Sequence, residues 1–244
     1  MYSIKFQAMI RESMKSSEEK MAYEERLLRE YDEQKQAMER RIAENKKHEE
    51  AVIPKIIEKV KNEMFKEEDK AEAKGYLYAP AEPNYLIAVQ IRSQCGINPK
   101  TKKTMELLRL TKINRCVILK NNECIRKMLQ ISKDYIAYGT VDYQMLRKLV
   151  YNRGCGKIGN SRVKLTNEVI EDAFDGKYRC IEELLYSVYS GSEDMKMILN
   201  FIVPIKLNCP RGGFCAGRKL RSFVQGGASG NHEELLCNLL EKMI

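Results

Sequence analysis

Between residues 85 and 140 the chain alternates strand-like and helix-like segments in the order β-α-β-α-β, and this run of about 56 residues restricts the fold more than any other feature. Tyr85 to Arg92 is apolar and β-branched enough to predict a strand. Asn98-Pro99 then predicts a helix start, with asparagine as the cap and proline at the first position, where a missing N–H costs nothing. Thr104, Leu107 and Leu108 form the expected buried face of that helix, and Lys102 and Arg109 its polar side. Arg115 to Lys120 reads as a second strand. Asn121 reads as the cap of a second helix with Ile125, Met128 and Leu129 inward, and Tyr135 to Thr140 as a third strand. The expected class is α+β.

The flanking segments differ from this unit and from each other. Residues 16 to 74 read as a long charged helix, opened by a capping box at Ser16-Ser17-Glu18-Glu19 and striped thinly by Met21, Leu28, Tyr31, Met38 and Ile42. Pro54 is expected to break or kink it, and Gly75 to end it. So thin a stripe cannot hold a coiled coil, so the segment reads as a solvated helix or, preferably, as an arm laid on a large partner. After Tyr76 to Pro83, a proline-punctuated connection, comes the α+β unit, and after it a helical extension. Asp142, Thr166 and Asn231 are expected helix caps, Cys180 to Ser190 and Glu193 to Phe201 further helices, and Pro204 to Phe214 irregular. The domains expected are therefore an arm over 1–75 kinked near Pro54, a core over 76–141 and an extension over 142–244.

Charge is segregated along the chain. The net charge is +9, yet residues 1–74 hold 17 basic and 18 acidic side chains, leaving 26 basic and 16 acidic for 75–244. Residues 92–120 have eight cations and only Glu106, 206–221 five cations and no acid, and 165–205 eight acids against three cations. Such segregation suits a basic face for a polyanion. The stretch from Tyr151 to Lys164 concentrates it: Arg153, Lys157, Arg162 and Lys164 share a glycine-rich segment without an acid, read as a loop after a helix that stops at Gly154. Nearby, Tyr151, Phe214 and Phe223 are candidates to stack on unpaired bases.

Other chemistries find little support. Gly154-Cys155-Gly156-Lys157 lacks the spacing of a phosphate loop and follows a helix rather than a strand. Two histidines, His48 and His232, lie far apart, and eight cysteines include no CxxC pair, so neither a nucleophile–base pair nor a zinc site is expected, and no cofactor. Carboxylate pairs such as Glu182/Glu183 read as first-turn helix residues. No apolar run approaches the ~18 residues of a membrane span. Met1 to Lys5 lacks the apolar core of a secretory signal, so scattered thiols in a reducing compartment are expected.

The motifs go further. Tyr78-Ala79-Pro80-Ala81-Glu82-Pro83, Asn98-Pro99-Lys100, Leu107-Leu108-Arg109-Leu110, Tyr135-Ile136-Ala137-Tyr138-Gly139 and Tyr151-Asn152-Arg153-Gly154-Cys155-Gly156-Lys157-Ile158 occur in order. They are followed by Leu165-Thr166, Gly176-Lys177-Tyr178, Cys180-Ile181-Glu182-Glu183-Leu184, Pro210-Arg211-Gly212-Gly213 and Gly226-Gly227. Together, over 76–244, they resemble the eukaryotic L-seven branch of universal ribosomal family thirty. The resemblance implies a ferredoxin-like β-α-β-α-β core with a long N-terminal helical arm and a helical C-terminal extension. It implies a structural, non-catalytic constituent of the large subunit of the cytoplasmic ribosome, assembled in the nucleolus and bound to rRNA and neighbouring ribosomal proteins.

Candidate rRNA contacts by position are Arg92, Lys100, Lys103, Arg109, Arg153, Lys157, Arg162, Lys164, Arg211, Arg218 and Lys219. Three departures stand out. The arm is near neutral where the family's is basic, which points it towards protein neighbours. Ile202-Val203-Pro204-Ile205 replaces an aromatic-rich stretch, and Ala228 stands where an acid usually follows the double glycine. The alternatives are a nucleolar assembly paralogue acting in pre-rRNA processing and a helical protein-binding scaffold.

Overall fold

The computed structural model describes residues 17–73, 82–214 and 219–244, and, within the first helix, the side chains from 21 to 63. Ser16 of the capping box, Gly75, the motif from Tyr78 to Ala81 and Arg218 lie outside the described residues. By compactness the chain forms two units, 1–47 and 48–244.

Helix α1, Ser17–Ala73, continues through Pro54, so of the expected break or kink the break does not occur. An interior proline costs about 3 kcal/mol, because it removes one helical hydrogen bond and crowds the preceding turn. Downstream of it Ile56 and Val60, four residues apart, are buried with Val52 beside them in the core of the second unit. Burying two such side chains returns about 1.5–3 kcal/mol each. In the first unit Met21, Leu28, Tyr31 and Met38 are exposed.

The second unit is built on a five-stranded sheet. Strands β1 (Tyr85–Gln90), β2 (Arg115–Lys120) and β3 (Ile136–Gly139) alternate with helices α2 (Pro99–Leu107) and α3 (Glu123–Ser132), as the sequence pattern predicts. β1 lies between β2 and β3 and is antiparallel to both. All six of its residues are buried, since both faces of the sheet are covered. Leu86 and Ala88 point into one core with Val117, Leu119 and the helix residues Met105, Leu108 and Leu129. Tyr85, Ile87 and Val89 point into the other, which is filled from the C-terminal helices.

Those helices are α4 (Tyr143–Arg153), α5 (Asn167–Ala173), α6 (Ile181–Ser190), α7 (Met195–Phe201) and α8 (Leu236–Met243). The C-terminal segment also adds a short strand at each edge of the sheet. No helix among the described residues is long and apolar enough to cross a membrane.

Several local expectations are corrected. Leu107 is exposed and Met105 takes its place in the core. Asn98 caps α2 as expected, its Oδ1 accepting from Lys100 N at 3.0 Å. The cap position of α3, however, is Asn122, while Asn121 uses its side chain to donate to Pro83 O at 2.8 Å and to accept from Arg126. Within the expected irregular tail, Ile205–Lys206 forms a strand that joins the edge of β2. Asn231 does not open the last helix. It sits in a strand, Gly230–Asn231, parallel to β3, and its Oδ1 accepts from Glu233 N in the turn that precedes α8.

Candidate nucleic-acid interface

The basic stretch after α4 is not a loop but a hairpin: β4, Cys155–Ile158, pairs antiparallel with β5, Ser161–Lys164. The two edge strands of the large sheet are β6 (Ile205–Lys206) and β7 (Gly230–Asn231). Gly159-Asn160 makes the two-residue turn of the hairpin, with Gly159 at φ 59°, a geometry that glycine adopts without strain. That dipeptide was the available signal, masked by the richness of the segment in glycine and charge.

Strand alternation sorts the hairpin's side chains into two faces. Cys155, Lys157, Arg162 and Lys164 share one face, while Gly156, Ile158, Ser161 and Val163 share the other. On the second face Gly156 lies against the Phe201 ring at the end of α7, and a bridge to Ile202 and a bond from Val203 N to Cys155 O (3.0 Å) fix the base. On the first, Lys157 stands directly opposite Arg162, and both are exposed, as is Lys164. Arg162 Nη2 also donates to Pro204 O at 3.2 Å.

A second opposed cation pair lies at the sheet edge, where Arg115 in β2 faces Lys206 in β6. Neither was singled out from the sequence, although both fall in the basic segments noted there. Like charges placed directly across a ladder destabilise it, so each pair is a local cost in the free chain.

The remaining candidates have varied surroundings. Lys100 and Lys103 are exposed on α2, Lys103 lying 3.9 Å from Glu106. Arg92 packs over the Tyr135 ring at 4.7 Å and donates to Asp134 O at 3.3 Å. Arg153 is half-buried and donates to Ile244 O at 2.9 Å. Arg211 is exposed, with its backbone N–H on Lys242 O. Lys219 lies 4.6 Å over the Phe214 ring.

Arg109 departs furthest from expectation. It is not on the polar side of α2 but just beyond its end, in a left-handed conformation with φ 62°. Its guanidinium turns inward to donate to Leu199 O at 2.7 Å and Ile202 O at 3.3 Å, at the C-terminal end of α7. It thereby satisfies carbonyls that a helix end leaves free and places a cation on the negative end of the helix dipole. Burial lowers its pKa from the ordinary arginine value.

The expected stacking residues are also largely committed. Phe214 is buried beneath Lys219, and Phe223 stacks on His232 with ring centroids 4.0 Å apart. Tyr151 is 41% exposed, beside the Arg147 guanidinium at 5.4 Å and with its hydroxyl 3.5 Å from Glu49 Oε1.

Comparison with known proteins agrees with this architecture. The family model described as Ribosomal protein L30p/L7e matches residues 86–136, the span from β1 into β3. The large ribosomal subunit protein uL30 of Encephalitozoon cuniculi is 46% identical over 234 residues, covering 96% of this chain and 98% of its own length. The uL30B protein of Schizosaccharomyces pombe is 37% identical over 72% of this chain and 70% of its own, and the uL30 protein of Debaryomyces hansenii 38% over 74% and 75%. Near-full-length similarity at this level, over a fold with the predicted core, shows that the chain belongs to the uL30 (L30p/L7e) family of large-subunit ribosomal proteins.

Proposed function

We propose that this protein is a structural, non-catalytic constituent of the large ribosomal subunit, holding rRNA through its basic hairpin and the neighbouring sheet edge. The observation that carries the RNA contact is the presence of two directly opposed cation pairs, Lys157 with Arg162 and Arg115 with Lys206. Each pair costs stability in the free chain and becomes favourable once a phosphate lies between its members. Lys164, on the same hairpin face, extends the strip. Lys100, Lys103, Arg211 and Lys219 contribute outlying phosphate contacts, with Arg92 and Arg153 held closer to the body by their own partners. Arg218 completes the basic run of the segment that contains Lys219.

The segment 1–75 acts as an arm towards neighbouring ribosomal proteins rather than rRNA. Its support is near-neutral charge combined with the exposed apolar side chains Met21, Leu28, Tyr31 and Met38. The site of action is the cytoplasmic ribosome, with assembly in the nucleolus.

Sedimentation of cell extract through a high-salt sucrose gradient, with quantification of the protein by mass spectrometry, tests this reading. One copy per large subunit, including in polysomes, is the expected result. Confinement to pre-ribosomal fractions, or failure to co-sediment, overturns it.

A further inference from the structure

The fold joins three potential metal ligands that the sequence keeps far apart. His48 lies in α1, whereas Cys180 and Glu183 lie at the start of α6, and one donor atom from each falls within 4.8 Å of the other two. His48 Nε2 is already 2.8 Å from Glu183 Oε1, and the other oxygen of Glu183 accepts from Arg179 N at 2.9 Å. Cys180 is fully buried at the cap position of α6, where its side chain makes no cap hydrogen bond.

We propose that His48, Cys180 and Glu183 form a zinc-binding site that ties α1 to α6. An imidazole nitrogen, a thiolate and a carboxylate are the donors zinc takes. Bond lengths of about 2.0–2.3 Å put tetrahedral ligand atoms roughly 3.3–3.7 Å apart. With the donor atoms within 4.8 Å of one another and the His48–Glu183 pair at 2.8 Å, reaching those spacings takes side-chain adjustments of about 1 Å and leaves the fourth position to water. Sulfur and imidazole donors select zinc over magnesium or calcium.

The charge balance follows from the surroundings. Without metal the sulfur of this fully buried cysteine carries its proton. Zn2+ displaces that proton to solvent as the Zn–S bond forms, so that the ligand is a thiolate. The Arg179 N–H bond to Glu183 orients the carboxylate, as outer partners commonly do at metal sites. His48, Cys180 and Glu183 all belong to the second unit, so the metal would fasten this part of α1 to α6 within it.

The test is titration of the reduced, metal-free, full-length chain with Co2+ and then Zn2+. The expected result is one equivalent of Co2+ with a thiolate-to-cobalt charge-transfer absorption, bleached on displacement by Zn2+. Cys180→Ser abolishes the absorption although the other seven cysteines remain. His48→Gln and Glu183→Gln each lower Zn2+ affinity at least about a hundredfold, beyond the effect typical of an outer partner. If Cys180→Ser fails to fold, the half-exposed His48→Gln decides alone. Lack of stoichiometric uptake by the folded wild type, an absorption that survives in folded Cys180→Ser, or unchanged Zn2+ affinity in His48→Gln overturns the site.

Discussion

Gly156 sits so close to Phe201 that a Cβ built on it would lie 2.5 Å from the ring's Cζ and 3.0 Å from Cε2. The ring has little freedom to retreat, because it packs edge-on against Phe174 with centroids 5.2 Å apart. This contact seats the basic hairpin on the end of α7.

Gly156→Ala is therefore expected to destabilise the protein by about 1–3 kcal/mol, the usual cost of forcing atoms into a packed contact. The midpoint of urea denaturation reads this out. An unchanged midpoint would mean that Phe201 swings aside and that the hairpin base is not held by this contact.

Arg109→Met separates a structural cation from an RNA-binding one. It removes the bonds to Leu199 O and Ile202 O and leaves the end of α7 without its charged partner. A loss of about 2 kcal/mol is expected, since bonds to a charged donor contribute about 1.5–3 kcal/mol. The salt dependence of rRNA binding should stay at the wild-type slope. A slope reduced as for an exposed lysine would return Arg109 to the phosphate contacts.

What the sequence made legible and what it hid have physical causes. The core was readable because Tyr85 to Gln90 and Arg115 to Lys120 are long enough to declare themselves, and Asn98-Pro99 marks a helix start through local chemistry alone. Two-residue strands such as Ile205–Lys206 and Gly230–Asn231 have no local signal. They exist only because β2 and β3 offer free edges. The inward turn of Arg109 depends on a left-handed backbone in a residue other than glycine, which residue type does not foretell. Pro54 argued for a break or a kink, and the helix continues through it because Ile56 and Val60 just beyond are held by burial. His48, Cys180 and Glu183 meet only in the folded chain, because spacing rules for metal ligands apply to neighbours in sequence.

His232 gives the fold a pH dependence of known sign. It is buried against Phe223, and its Nε2 donates to Ala228 O at 2.9 Å. Burial lowers its pKa below the ordinary value of 6.5, the Ala228 bond opposing this only in part. The unfolded chain thus takes up the proton first, and stability present above pH 6.5 is lost as pH falls towards the lowered folded value. Thermal melts between pH 7.5 and 5 should show a steeper decline for the wild type than for His232→Gln. Parallel declines would show that protonation of His232 is not what destabilises the fold in acid.

Lys157 offers the sharpest separation of folding from function. In the free chain it opposes Arg162 across the hairpin, so replacing it removes a repulsion worth about 0.2–1 kcal/mol. Lys157→Gln should therefore raise the denaturation midpoint slightly. It should also weaken binding to large-subunit rRNA and flatten the log–log salt dependence by about 0.9, the contribution of one phosphate contact in duplex nucleic acid. Lys157→Glu pairs with Arg162 instead of repelling it, so it should stabilise the free chain further and weaken binding more. A lysine that served only the hairpin fold would move stability and binding in the same direction. Opposite signs across the two variants, measured by denaturation and by filter binding over a salt series, are what a phosphate-holding pair requires.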